Sequence, residues 1–197
     1  MKKTMQVFAT AMTLAILAGC AGNKELVKAM GTSTSQNVFQ GIDVHLPPVP
    51  GYVDLSIYST LKTHKPGIHS SSDVHGTQEY MLLVNIDGQA TTLKGRLIGE
   101  RSEARSMRDP EEGEGIIYQF AKIVRAKAGV HRVAIALPAD DRVAERDVVF
   151  SEGENYSLTV EPVYYSVPGM QRPGTNGLTS FKEGIRSFRL LLNGKAI

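Results

Sequence analysis

The 197-residue chain has 42% hydrophobic, 7% aromatic and 21% charged residues, values that exclude a wholly disordered protein and a multispan membrane protein. Its formal charge of +2 comes from Lys2 and Lys3. The remainder is formally neutral and gives no electrostatic reason to expect a nucleic-acid partner. The length fits one domain, and the single cysteine, Cys20, excludes an intrachain disulfide.

The first twenty residues have the pattern of a secretory signal. A short basic segment at residues 1–3 precedes an uncharged apolar stretch at residues 5–18. Leu17-Ala18-Gly19-Cys20 resembles the lipobox of bacterial lipoproteins. The resemblance implies that residues 1–19 are removed as a signal peptide, that Cys20 is lipidated and that its acyl chains anchor the protein to a membrane. We therefore expect localisation in the cell envelope, and Ala21 after the cysteine is similar to the outer-membrane pattern of enteric lipoproteins.

Residues 20–37 are rich in Ser, Thr, Gly, Asn and Lys, a composition that predicts a flexible tether after the lipidated cysteine. Residues 38–197 form the predicted domain. Short runs rich in Val, Ile, Tyr and Phe alternate there with Gly, Pro, Asn and Asp, which predicts an all-β fold, an antiparallel β-sandwich. The predicted strands cover residues 38–46, 53–62, 79–86, 91–98, 116–126, 131–137, 142–150 and 156–165.

Three features refine the expected fold. Asp87-Gly88 and the segment 127–129 predict tight hairpin turns. At the C-terminus, residues 180–183 have capping-box spacing, and apolar residues recur at helical intervals from Phe181 to Leu192, which favours a short helix. Phe188, Leu190 and Leu192 also alternate, and Asn193-Gly194 is a common hairpin turn, which favours a strand instead. Both alternatives stay open.

The middle of the chain resembles a known kind of module. Residues 85–89, 128–133 and 153–160 resemble the strand and turn rhythm of PEGA-like surface modules, which are small all-β domains of the prokaryotic envelope. The resemblance spans about residues 80–165, lacks a Pro-Glu-Gly-Ala motif and leaves residues 100–115 as an insertion. It implies an Ig-like or PEGA-like sandwich with a scaffold or adhesion role and no activity.

One loop gathers side chains that bind metals. His64, His69, Asp73 and His75 lie within twelve residues that also contain Pro, Gly and Ser. Imidazole and carboxylate ligands suit Zn²⁺ or Cu²⁺, but the spacing matches no zinc signature. A solvated loop that binds nothing explains the same residues.

Two further loops are candidate contact regions. Arg96, Arg101, Arg105 and Arg108 lead into the acidic run 109–115, which predicts a solvated, mobile insertion that meets a partner and fits a Ca²⁺ loop poorly. The segment 164–177 is poor in acids and carries residue types that are enriched in interfaces. The predicted partner-binding residues are Tyr164, Tyr165, Met170 and Arg172, although both tyrosines could instead pack at a strand end.

No nucleophile elbow, phosphate-binding loop, His-Glu-x-x-His or dinucleotide-binding motif occurs. Carboxylate pairs such as Asp140 with Asp141, or Glu111 with Glu114, are compatible with a glycan hydrolase, which is the third and least favoured of the functions considered. The sequence therefore predicts a non-catalytic envelope lipoprotein without a cofactor, which binds another envelope protein or a surface polymer. Metal binding at His64, His69, Asp73 and His75 is the alternative function.

Overall fold

The computed structural model describes residues 37–43, 49–66, 72–100, 109–169 and 178–197. Their strands form two packed sheets, which confirms the predicted all-β sandwich. The strands are β1 (Phe39–Ile42), β2 (Tyr52–Thr63), β3 (Met81–Ile86), β4 (Gln89–Lys94), β5 (Arg96–Glu100), β6 (Gly115–Lys127), β7 (Gly129–Leu137), β8 (Arg142–Phe150), β9 (Asn155–Tyr164), β10 (Ile185–Leu192) and β11 (Lys195–Ala196).

The first sheet has the strand order β1-β6-β2-β9-β10-β11, with β5 also paired to β6, and the second has the order β4-β3-β7-β8. Every pair of named strands is antiparallel except β2 with β9, which are parallel. The predicted antiparallel sandwich therefore contains one parallel pair. The chain crosses from β8 to the other sheet at residues 151–154, so that β9 starts at the same end of the sandwich as β2.

The predicted single strand at residues 91–98 is two strands in two different sheets. β4 pairs with β3, and after Gly95 the chain continues as β5 beside β6. A Cβ atom on Gly95 would lie 2.8 Å from Cδ1 of Tyr118 and 3.0 Å from Cε1 of Phe120. The chain can pass these two rings because residue 95 has no side chain.

The predicted turns have different outcomes. Asp87-Gly88 is confirmed as a two-residue hairpin turn, and of the two alternatives left open at Asn193-Gly194 the structure has the hairpin. Both residues of each pair have positive φ, 49° and 91° in the first and 49° and 77° in the second. The segment 127–129 is not a hairpin, because it joins β6 of the first sheet to β7 of the second.

The helical alternative at the C-terminus is wrong. Ser180 Oγ accepts a hydrogen bond from the Lys182 amide, but only a 3-10 turn, Phe181–Glu183, follows, and it ends at Gly184 with φ 84°. β10 then alternates, with Phe188 and Leu190 buried and Arg189 exposed between them. Pairing with β9 fixes this alternation, because the backbone N–H and C=O groups along the edge of β9 need an extended strand as their hydrogen-bond partner.

The core lies between the two sheets and uses alternate residues of each strand. The predicted alternation of β9 is confirmed, because Tyr156, Leu158 and Val160 are buried. From the second sheet, Leu82, Val84 and Ile135 are fully buried against them. Within the described ranges, no helix is long and apolar enough to cross a membrane.

The sandwich has two ends, a near end and a far end, which carry different side chains. The near end is where the described chain starts, and it contains Asn37, the turn at residues 87–88 and the crossings at residues 127–129 and 151–154. The far end contains His64, Gly115 and the 3-10 turns Pro138–Asp140 and Phe181–Glu183. β2 spans the distance between them with 12 residues, about 35–40 Å.

Candidate functional site: a histidine and carboxylate cluster at the far end

Three separate segments bring polar side chains together at the far end. His64 directly follows β2, while Asp73, His75 and Tyr80 lie in the loop before β3. Asp140 ends the 3-10 turn between β7 and β8. His64, Tyr80 and Asp140 lie within three residues of a paired strand, so the sheets fix the positions of their backbones.

Asp73 is the centre of the cluster. Its Oδ2 lies 2.9 Å from Nε2 of His64, and its Oδ1 lies 2.7 Å from Nδ1 of His75. Oδ1 also accepts a hydrogen bond from the His75 backbone amide at 3.0 Å, which fixes the turn. Burial alone would raise the pKa of Asp73, but the hydrogen bonds from His64 and His75 outweigh it and hold that pKa well below its ordinary value.

A second carboxylate holds the other side of His75. Nε2 of His75 lies 3.3 Å from Oδ1 of Asp140, and the Tyr80 hydroxyl donates to Oδ2 of Asp140 at 2.6 Å. The hydrogen bond to Asp140 raises the pKa of His75, assisted by Asp73 and opposed by partial burial. Burial, together with the Asp140 carboxylate, raises the pKa of Tyr80, so Tyr80 stays a neutral donor.

Aromatic packing makes this arrangement rigid. The Tyr80 ring is fully buried, and its centroid lies 5.0 Å from that of His75 and 4.8 Å from that of Tyr118. The Tyr118 hydroxyl donates to the Thr77 carbonyl at 2.6 Å, and burial raises the pKa of Tyr118 to about 12. The loop that carries Asp73 and His75 is therefore attached to the core at Tyr80 and Thr77.

The ligand atoms of His64, Asp73 and His75 all lie within 4.8 Å of one another. Two imidazole nitrogens and one carboxylate oxygen form a donor set that Zn²⁺ and related ions accept. A metal-bound histidine usually donates its other ring N–H to a carboxylate or carbonyl group, and Asp140 lies where His75 needs that partner. A cleft of about 200 Å³ borders His64, His75 and Asp140 and leaves room for an exogenous ligand.

The structure places three of the four predicted metal ligands in one cluster. It brings together His64, Asp73 and His75, and His69 lies outside the described residues. Asp140 and Tyr80 were missed as parts of this cluster, since 65 positions separate Asp140 from His75 in the sequence. The sequence suggested a carboxylate pair of Asp140 with Asp141, but Asp141 is exposed and lies outside the cluster.

The acidic run beside the cluster is docked on a buried lysine. Lys62 has no exposed surface, and its ammonium group donates to the backbone carbonyls of Glu111 and Gly113 and lies 4.9 Å from the Phe181 ring centroid. Lys65 also forms an ion pair with Glu114. Residues 109–114 are therefore attached to the far end, in contrast to the predicted mobile loop, and residues 101–108 lie outside the described residues.

The predicted partner-binding residues divide into three cases. Tyr164 is 3% exposed, and its hydroxyl accepts a hydrogen bond from the Lys62 amide at 2.9 Å, so its ring belongs to the core. Tyr165 is 38% exposed and accepts a hydrogen bond from Nη2 of Arg142 at 2.8 Å. Met170 and Arg172 lie outside the described residues, as does Cys20.

Comparison with known proteins identifies no relative: no family model, no curated protein and no solved structure matches the chain.

Proposed function

We propose that this chain is a lipid-anchored, non-catalytic lipoprotein of the bacterial envelope whose β-sandwich binds one divalent metal ion of the Zn²⁺ or Cu²⁺ class. The observation that carries the metal-binding proposal is the convergence of His64, Asp73 and His75 within 4.8 Å. The second carboxylate, Asp140, supports it, because a hydrogen-bonded imidazole is a better-oriented ligand. The lipobox at Cys20 supports the anchor.

The cluster fits a transition-metal ion better than calcium. Calcium takes six to eight oxygen ligands, whereas two of the three convergent donors here are nitrogens. Tetrahedral zinc takes four ligands, so one position is left for the predicted ligand His69 or for a molecule from the cleft.

Metal uptake by the full-length protein tests this function. We expect equilibrium dialysis against Zn²⁺ to give one bound ion per chain, and Asp73→Ala and His75→Ala to abolish that binding. Asp147→Ala is the matched control, because Asp147 is a 68% exposed carboxylate on β8, outside the cluster. His69→Ala tests the predicted fourth ligand separately. Equal uptake by wild type and by the Asp73→Ala, His75→Ala double variant would refute the metal site.

A second candidate function is binding of another envelope protein or a surface polymer, and the exposure of Tyr165 at the far end favours it. Aromatic side chains with a polar end are enriched at interfaces. Crosslinking in intact cells tests this candidate: a defined envelope partner should be lost in Tyr165→Ala and retained in Tyr58→Ala. Tyr58 is a suitable control, because it is a 44% exposed tyrosine on the outer face of the first sheet.

A further inference from the structure

The near end carries an exposed apolar surface that the metal site does not explain. Among large hydrophobic side chains of the described residues, Val130 and Val149 are the most exposed, at 72% and 62%. They are direct partners in the pairing of β7 with β8, so their side chains lie side by side. Val49, 42% exposed, lies at the same end, because its carbonyl accepts a hydrogen bond from the amide of Tyr52, the first residue of β2.

The described chain also starts at this end, and its start is held firmly. Oε1 of Gln89 accepts hydrogen bonds from the Val38 and Phe39 amides at 2.8 and 3.2 Å, and Nε2 of Gln89 donates to the Phe39 carbonyl at 2.7 Å. β1 then pairs with the end of β6. The direction in which the chain enters the sandwich is therefore fixed at the near end.

The length of the predicted tether bears on which end lies closer to a membrane. A flexible tether of about 17 residues, as the composition of residues 20–37 predicts, would have a root-mean-square span of roughly 20–25 Å. The near end therefore lies within reach of the bilayer to which Cys20 is anchored. The far end lies about 35 Å farther from the attachment point of the tether, which is the length of β2.

Charges around the two valines give no strong attraction to anionic lipid. Arg132 is engaged by Glu145 at 3.0 Å and by Asp147 at 3.2 Å. Lys127, Glu152 and Glu154 are exposed residues at this end, and the two carboxylates accept hydrogen bonds from the Gly51 amide and the Tyr156 hydroxyl. The surface thus suits a shallow apolar contact with zwitterionic lipid, which salt does not screen.

We propose that the near end is a lipid-contact surface, with Val130 and Val149 inserted among the phospholipid headgroups of the membrane that holds the anchor. The metal site at the far end then faces away from that membrane, where a partner can reach it. This inference rests on the lipid anchor of the proposed function, but not on metal binding.

A single introduced tryptophan tests the contact, since the sequence contains no tryptophan. Full-length, acylated Val130→Trp is reconstituted into phosphatidylcholine vesicles with or without brominated acyl chains. The control is Val163→Trp, because Val163 is a 37% exposed valine near the far end. We expect a blue shift and a loss of about half of the emission for Val130→Trp, unchanged by salt, and neither effect for Val163→Trp.

Flotation of the same vesicles separates the two ways to fail. If wild type does not float with the vesicles, or Cys20→Ser floats equally well, the lipid anchor is wrong and this inference falls with it. If wild type floats but brominated lipid quenches neither tryptophan, or both equally, the anchor stands and the lipid-contact surface is wrong.

Discussion

Oδ1 of Asp140 lies 3.3 Å from Nε2 of His75, although 65 positions separate the two residues. The contact fixes the imidazole plane, because the same carboxylate is held by the Tyr80 hydroxyl. With Nε2 directed at Asp140, Nδ1 faces Asp73 and His64. Asp140 is therefore a positioning residue for the proposed metal site and not one of its ligands.

Replacing this carboxylate should weaken metal binding without abolishing it. We expect Asp140→Asn to lower Zn²⁺ affinity about 10- to 100-fold while one ion per chain still binds at saturation. Competition with a chromophoric chelator measures the affinity. Asp141→Asn is the control, since Asp141 is exposed and its left-handed φ of 53° suits asparagine. Complete loss of binding in Asp140→Asn would instead make Asp140 a ligand.

The metal-free cluster should make stability depend on pH in a definite direction. His75 has a raised pKa in the folded chain, so its contribution is complete below its ordinary pKa of 6.5 and is lost as pH rises through the folded value. Asp73 has a lowered pKa, so its contribution is present above 3.8 and is lost as pH falls. The cluster therefore stabilises the apo protein most between about pH 4 and 6.5.

Urea denaturation in the presence of a chelator measures this dependence. The free-energy difference between wild type and His75→Gln should be largest near pH 6 and should shrink toward pH 8. The difference, rather than the wild-type curve, is the informative quantity, because the two proteins share every other ionisable side chain. A difference that grows from pH 6 to pH 8 would contradict the assignment.

The buried Lys62 should hold the acidic segment in place. Lys62→Met keeps the apolar stem but removes the ammonium that binds the Glu111 and Gly113 carbonyls. We expect a loss of about 1–3 kcal/mol in the free energy of unfolding and faster hydrogen exchange at residues 109–115. Lys65→Met should cost less than about 1 kcal/mol, because Lys65 and Glu114 form an exposed pair. Equal effects of the two variants would show that burial of Lys62 adds nothing.

Sequence patterns predicted the features of the fold that depend on residues close together in the chain, namely strand faces and tight turns. The alternation of Tyr156, Leu158 and Val160 gave the correct buried face, and Asp87-Gly88 formed the predicted hairpin turn. The same patterns do not specify which strands pair. The residues on both sides of Gly95 were predicted to form one strand, and the sheet that each part joins is decided by partners far away in the chain.

The same limit applies to the site. His64, Asp73 and His75 were grouped as candidate ligands because they lie within one loop, whereas Asp140 joins them only because β7, which it follows, pairs with β3 in the second sheet. Lys62 gave no signal either, since a lysine on a strand is normally solvated and its burial depends on the acidic segment 49 to 51 positions away.

The point where the chain changes sheets is open to a direct test. Gly95→Ala places a Cβ 2.8 Å from the Tyr118 ring and 3.0 Å from the Phe120 ring, and buried rings cannot move without disturbing the core. We expect a loss of about 1–3 kcal/mol in the free energy of unfolding, measured by denaturant titration. Gly99→Ala, four residues along β5, is the control, because its Cβ would meet no atom within 4 Å and should leave stability nearly unchanged. If both variants match wild type, the close approach of the backbone to these rings is wrong, and with it the reason given for a glycine at this position.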